Sequence, residues 1–188
     1  MRFALRVFYD GRRYYGFQRQ PHVPTIEGFI LRALAKAKLV EDPKAAKYGA
    51  ASRTDRGASA LAQTIAFNAE DAFRLSRINT FLPPDIRVWA IAEVPDDFDP
   101  RRDAISRNYV YICAHRGEDV SLMRQAASMM VGVRNFSSLC PTVPIKEFKM
   151  RMVHVKAEGG FLIFRFVAKS FFRGMIRRLV SCLLGVGR

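Results

Sequence analysis

The sequence predicts an α+β protein made of two similar halves lying side by side in one mostly antiparallel sheet flanked by helices. Two observations carry this. Hydrophobic periodicity alternates between strand and helix spacing in the order β-α-β-β-α-β and then β-α-β-β-α, and a stretch rich in Asp and Pro, Pro95 to Pro100, separates the two runs. That order is the ferredoxin-like one used twice, which sets the halves at 1–97 and 98–188. The second half is one strand short. The shortfall reads either as a trimmed chain or as a terminus that does without the strand, and an unpaired sheet edge needs a cover such as a second subunit.

Each element has its own local reason. Residues 2–9 place Phe3, Leu5, Val7 and Tyr9 on one face and Arg2, Ala4 and Arg6 on the other, as a half-buried strand requires. After a loop from Asp10 to Pro24, Thr25 is an N-cap for a helix whose Ile26, Phe29, Ile30, Ala33, Leu34 and Ala37 form an apolar stripe. Strands near 47–52 and 61–68, a helix near 71–82 and a strand at 86–94 complete the first half. The second half starts with a strand at 106–114 and a helix near 120–131. A hairpin over 148–168 follows, turning on Gly159 and Gly160, and then a helix near 171–186.

Composition narrows the function. The chain has 188 residues, 49% of them hydrophobic, which is enough for a core and excludes a disordered chain. Its 31 Lys and Arg against 17 Asp and Glu leave a net charge of +14, which asks for an anionic partner, nucleic acid first. From Phe161 to Arg188 there are six cations (Arg165, Lys169, Arg173, Arg177, Arg178, Arg188) and no acid. Cys113, Cys140 and Cys182 lack C-x-x-C spacing and His22, His115 and His154 are scattered, so neither a disulfide framework nor a metal site is expected, and the cysteines suit a reducing cytoplasm. Arg2 and Arg6 break the first apolar stretch, and no stretch approaches membrane-spanning length, so a soluble protein is expected.

Four segments carry chemistry. Tyr9-Asp10-Gly11 through Tyr15-Gly16-Phe17-Gln18-Arg19-Gln20 mixes aromatics with Arg and Gln, and so offers Tyr15, Gln18 and Arg19 to an unpaired base or a phosphate. An ordinary polar loop fits the same residues. Ser52-Arg53-Thr54-Asp55-Arg56-Gly57 holds a carboxylate between two arginines, which keep it ionised as a nucleophile or electrostatic stabiliser. In isolation it also reads as an Asx turn closed by Gly57. Strand alternation puts Arg107, Tyr109, Tyr111 and Cys113 on one face, either for base stacking or as a packed core face. The last helix carries a core stripe of Met175, Ile176, Leu179, Val180 and Leu183, with Arg173, Arg177 and Arg178 beside it.

Together and in this order, the motifs resemble the tRNA pseudouridine synthase A family. The match runs through Y-D-G-x-x-Y-x-G-F-Q-R-Q, T-I-E-G, R-T-D-x-G, I-N-x-x-L-P-P-D-I-R-V, R-x-Y-x-Y, N-F-S-S and F-x-x-M-I-R, and covers nearly the whole chain. The resemblance implies the pseudouridine synthase fold and a cytoplasmic homodimer without a cofactor. It implies isomerisation of uridine to pseudouridine in the anticodon stem-loop of tRNA. It also implies that Asp55 is the nucleophile, that Arg53 helps expel or replace the flipped base, that Tyr109 packs on the uracil and that Arg177 pairs with Asp55. Arg53, Arg56, Tyr15, Gln18, Arg19, Arg107, Arg173 and Arg178 are then the RNA-binding set. Two departures stand out: the family usually reads G-V-H-A where this chain has Gly57-Ala58-Ser59-Ala60, and the chain stops at Arg188 before the family's closing segment.

The chemistry suits these residue types. Breaking N1–C1′, turning the base and joining C5 to C1′ is neither redox nor group transfer, so no cofactor is needed. The base must first leave the stack, at a cost of a few kcal/mol. One carboxylate can attack C1′ or C6, and the Tyr109 hydroxyl is a candidate to take the C5 proton. Two other functions compete: a non-catalytic RNA-binding module on a ferredoxin-like sheet, and a carboxylate-dependent N-glycosidase that hydrolyses the same bond.

Overall fold

The structure is a computed structural model that describes residues 1–139 and 147–188. Cys140 lies outside the described residues. The chain forms two compact units, Met1–Ala104 and Ile105–Arg188. Pro95 to Pro100 therefore belongs to the first unit, where buried Arg2 holds it by donating from Nε to the Phe98 carbonyl at 2.7 Å.

The first unit runs β1 (Arg2–Tyr9), a 3₁₀ turn (Gly11–Arg13), α1 (Ile26–Lys36), β2 (Gly49–Ala50), β3 (Ala60–Asn68), α2 (Leu75–Asn79) and β4 (Ile86–Val94). Its four strands pair antiparallel in the order β2-β3-β1-β4, the ferredoxin-like arrangement with the first and third strands central. The alternation of β1 sends Phe3, Leu5, Val7 and Tyr9 into a core shared with Ile26, Ile30 and Leu34 of α1 and with Ile65 and Phe67 of β3. Each such side chain contributes roughly 1.5–3 kcal/mol when fully buried. α1 starts where the sequence places its cap, with Thr25 Oγ1 accepting from the Gly28 amide at 3.3 Å.

α2 is shorter than the 71–82 expected from its pattern. Residue 73 explains part of this, because the Phe73 ring packs edge-on against Phe3 and stacks on Phe67 at 5.1 and 5.8 Å, fixing the approach to the helix in a non-helical path. Pro83 and Pro84 then bound it on the other side. β2 is likewise only two residues long where 47–52 was expected, and Lys47 just before it has a φ of +47°, outside the strand region.

The second unit runs β5 (Arg107–Ala114), α3 (Val120–Met129), β6 (Gly132–Arg134), a 3₁₀ turn (Ser137–Leu139), β7 (Phe148–Glu158), β8 (Phe161–Ala168) and α4 (Met175–Val186). Its sheet is antiparallel in the order β5-β8-β7-β6. Gly159 and Gly160 both have positive φ, +56° and +80°, as a two-residue hairpin turn that follows the strands' twist requires. Leu162, Phe164, Phe166 and Ala168 of β8 pack with Met175, Leu179, Val180 and Leu183, the stripe expected on the last helix. α4 begins at Met175, not near 171, because Gly174 sits in the left-handed region at φ +74° and cannot extend the helix backwards. Phe171 and Phe172 instead pack against Phe148, with ring centroids 6.1 and 5.9 Å away. β6 was not anticipated: it is three residues long and too short to show an alternation.

Candidate active site

In the first unit the site is built from two loops. One leaves β1 and runs from Asp10 to Gln20; the other, Ser52 to Ser59, joins β2 to β3 and carries Asp55, which is exposed. Hydrogen bonds tie the second loop to the first and to the strand end before it. Tyr9 Oη and Thr54 Oγ1 are 2.8 Å apart, the Phe17 amide donates to the Thr54 carbonyl at 3.0 Å, the Gly57 amide to the Tyr14 carbonyl at 3.3 Å, and the Gly11 amide to Ser59 Oγ at 3.0 Å. Gln63 of β3 adds a further restraint, Nε2 donating to the Ser52 carbonyl at 2.6 Å. The turn around Asp55 closes through the Ala58 amide to the Asp55 carbonyl at 3.1 Å, with Gly57 at φ +77°.

The upstream loop is itself fixed at its base. Asp10 accepts from the Arg12 amide and pairs with the Arg12 guanidinium at 2.5 Å, which draws the Asp10 carboxyl down to about 2. Buried Tyr14 donates from its hydroxyl to Asp85 Oδ1 at 2.7 Å, and burial first, then this bond, raise its phenol well above the usual range. Asp85 in turn offers its carbonyl to the Asp10 amide at 2.9 Å. At the far end Glu27 of α1 reaches back, Oε2 accepting from the Arg19 amide at 2.7 Å.

The loops present an exposed polar surface. Tyr15, Gln18, Arg19, Arg53 and Arg56 are all exposed, and the Arg56 guanidinium lies 4.2 Å from the centre of the Tyr15 ring. Arg56 and Tyr15 are thus two of the expected RNA-binding residues in direct contact. An exposed carboxylate on a pinned turn, with arginines before and after it and an aromatic face alongside, is suited to holding a polyanion while offering one nucleophilic oxygen pair.

The second unit carries the other expected residues. Arg107, Tyr109, Tyr111 and Cys113 do share a face, opposite Ala168, Phe166, Phe164 and Leu162 of β8, which is the core side of the sheet. Tyr109 is half-buried, its ring edge-on to Phe171 at 5.1 Å. Arg107 donates from Nη1 to the Lys169 carbonyl. Arg173, Arg177 and Arg178 are exposed around the start of α4, and Arg178 Nη1 donates to the Leu139 carbonyl at 2.7 Å. Tyr9, Thr54, Ser59 and Asp85 lie within the quoted motifs, Ser59 at the position of the family's usual His and Asp85 in L-P-P-D-I-R-V, but the sequence alone assigns none of them a site role. In the structure Ser59 is a loop tie, its Oγ also 3.4 Å from Asp10 Oδ1.

The fold is α+β, with two four-stranded antiparallel sheets and few helices, consistent with a pseudouridine synthase, and the first unit carries an exposed Asp on a turn between arginines. No family model matches the chain. Among curated proteins it is 38% identical over 192 residues to a tRNA pseudouridine synthase A of Methanosarcina mazei, covering 100% of this chain and 71% of that protein. It is 41% identical over 188 residues to the tRNA pseudouridine synthase A of Thermococcus kodakarensis, covering 97% of this chain and 70% of that one. The same name belongs to a protein of Methanococcoides burtonii, 35% identical over 192 residues and 70% covered. The chain belongs to the tRNA pseudouridine synthase A family, a family of isomerases.

Proposed function

We propose that the protein isomerises uridine to pseudouridine in the anticodon stem-loop of tRNA, as a cytoplasmic homodimer, with Asp55 as the nucleophile. The observation that carries this is the Asp55 turn, an exposed carboxylate between Arg53 and Arg56 tied by hydrogen bonds to a loop of aromatic and cationic side chains. In this reading Arg53 helps expel or replace the base, Tyr109 packs on the uracil, and Arg177 is the counter-ion of Asp55. Arg56, Tyr15, Gln18, Arg19, Arg107, Arg173 and Arg178 contact the RNA. The net charge of +14 supports a polyanionic substrate.

Tritium release from tRNA carrying 5-tritiated uridine tests the reaction, because joining C5 to C1′ must expel that hydrogen. Wild type should release tritium and retain the base. Asp55→Asn should bind the stem-loop and release none. A binding module would leave the RNA unchanged, and a glycosidase would free uracil; either result rejects the isomerase reading. Substantial turnover by Asp55→Asn would reject the nucleophile.

A further inference from the structure

We infer that Tyr9 is a positioning residue for the reaction: its hydroxyl, through Thr54, fixes the backbone from which Asp55 projects. The inference rests on Asp55 being the reacting group. Tyr9 is the last residue of β1, the strand paired on both sides within its sheet, and its ring is fully buried against Phe17 with centroids 6.0 Å apart. Pairing with β3 slips between Val7, opposite Gln63, and Tyr9, opposite Ala60. Irregularities of this kind beside active sites re-aim a side chain, and here the Tyr9 ring ends with its hydroxyl 2.8 Å from Thr54 Oγ1.

Thr54 is held at two atoms, its side-chain oxygen by Tyr9 and its carbonyl by the Phe17 amide at 3.0 Å. Fixing both ends of one residue sets the direction in which the next one leaves, and the next one is Asp55. The neighbouring backbone leaves little room for error: a Cβ on Gly16 would stand 3.0 Å from the Thr54 carbonyl oxygen and 3.3 Å from the Arg56 nitrogen. Nor is the contact an automatic result of burying a phenol. The Tyr48 hydroxyl of the same unit is also buried, and among the described residues it has no hydrogen-bond partner. Catalytic groups must sit within about half an ångström of their productive geometry, and a displacement of about 1 Å costs on the order of a hundredfold in rate. A rigid strand end bonded to the residue before the nucleophile meets that requirement.

Tyr9→Phe, Thr54→Val, Thr54→Ser and the double variant Tyr9→Phe with Thr54→Val separate positioning from mere stability. Two readouts are needed: single-turnover pseudouridine formation at saturating enzyme, and hydrogen exchange of the Phe17 and Gly57 amides. Tyr9→Phe and Thr54→Val should each slow the reaction by roughly tenfold or more, leave stem-loop affinity unchanged and speed amide exchange. Thr54→Ser should restore the wild-type rate, and the double variant should be no slower than the slower single one. A wild-type rate and wild-type exchange in Tyr9→Phe would overturn the inference, as would multiplicative loss in the double variant. If wild type makes no pseudouridine, the reading of the reaction fails instead, and amide exchange alone decides whether Tyr9 anchors the turn.

Discussion

Arg56 holds its guanidinium 4.2 Å from the centre of the Tyr15 ring, so the cation that follows Asp55 is stacked on an aromatic of the other loop. An exposed pair of this kind is worth only ~0.5–1 kcal/mol to the fold, too little to be its purpose. As a ready-made plane beside a cation it suits one base and one phosphate, a base–aromatic stack being worth ~1–3 kcal/mol. Tyr15→Ala should therefore weaken stem-loop binding roughly tenfold with an unchanged salt slope. Arg56→Ala should make the slope shallower by about one. Affinities across a salt series decide it, and an unchanged slope in Arg56→Ala means that this side chain meets no phosphate.

Asp10 offers a pH test of the loop base. Its carboxyl is lowered from 3.8 to about 2, chiefly by its side-chain hydrogen bond from Arg12. A carboxyl that is more acidic in the folded state adds stability above its unfolded value and loses it as pH falls through the folded one. Asp10→Asn should be less stable than wild type at neutral pH, and the gap should close between about pH 4 and about pH 2. Urea midpoints for both proteins across that range provide the check; a gap independent of pH would mean that the Arg12 pairing does not act through the charge.

Much of this was legible before the structure. The alternation at Phe3, Leu5, Val7 and Tyr9 and the spacing at Ile26, Ile30, Ala33 and Leu34 follow from which faces must be buried, and they recur in the observed core. Thr25 was readable as a cap because a hydroxyl is needed there to take up a free amide. The limits of α2 were not, since they depend on where the Phe73 ring goes, a tertiary contact with Phe3 and Phe67. Asp55 stood out by its flanking charges, but the residues that pin its turn did not. Tyr9 read as a core aromatic at the head of the Y-D-G motif, and nothing local reveals that its hydroxyl meets Thr54.

Tyr48 should be improvable. Its hydroxyl is buried without a hydrogen-bond partner among the described residues, and burial pushes its phenol well above the ordinary value of 10.0. An unpaired buried hydroxyl costs on the order of 1–3 kcal/mol, so Tyr48→Phe should raise stability by about 1 kcal/mol with an unchanged denaturant slope. The raised value also fixes a sign. The unfolded phenol ionises above pH 10 while the folded one does not, so stability falls as pH rises there, and the variant should lose part of that fall. Equal urea midpoints for the two proteins would indicate that water satisfies the group.

Two glycines of the loops yield the sharpest mutational contrast. A Cβ on Gly11 would lie 1.9 Å from the Ala58 carbonyl oxygen and 2.5 Å from its carbon, both backbone atoms that no rotamer change can move. Gly57 is the opposite case: its φ is +77°, but nothing lies within 4 Å of an added Cβ. The first glycine is needed for space and the second for its backbone angle, which Asn tolerates better than other residues with side chains. Gly57→Asn should thus stay within about 1 kcal/mol of wild type. Gly11→Ala should lose ~1–3 kcal/mol, the usual cost of overpacking, and it should also push the Asp55 turn outward, because Ala58 belongs to the same short segment. Its single-turnover rate should fall well beyond what its unfolded fraction explains, whereas Gly57→Asn should keep most of its rate. Urea midpoints together with single-turnover rates at a temperature where both variants are folded make the comparison. If Gly11→Ala matches wild type in both, the packing of these two loops does not hold Asp55.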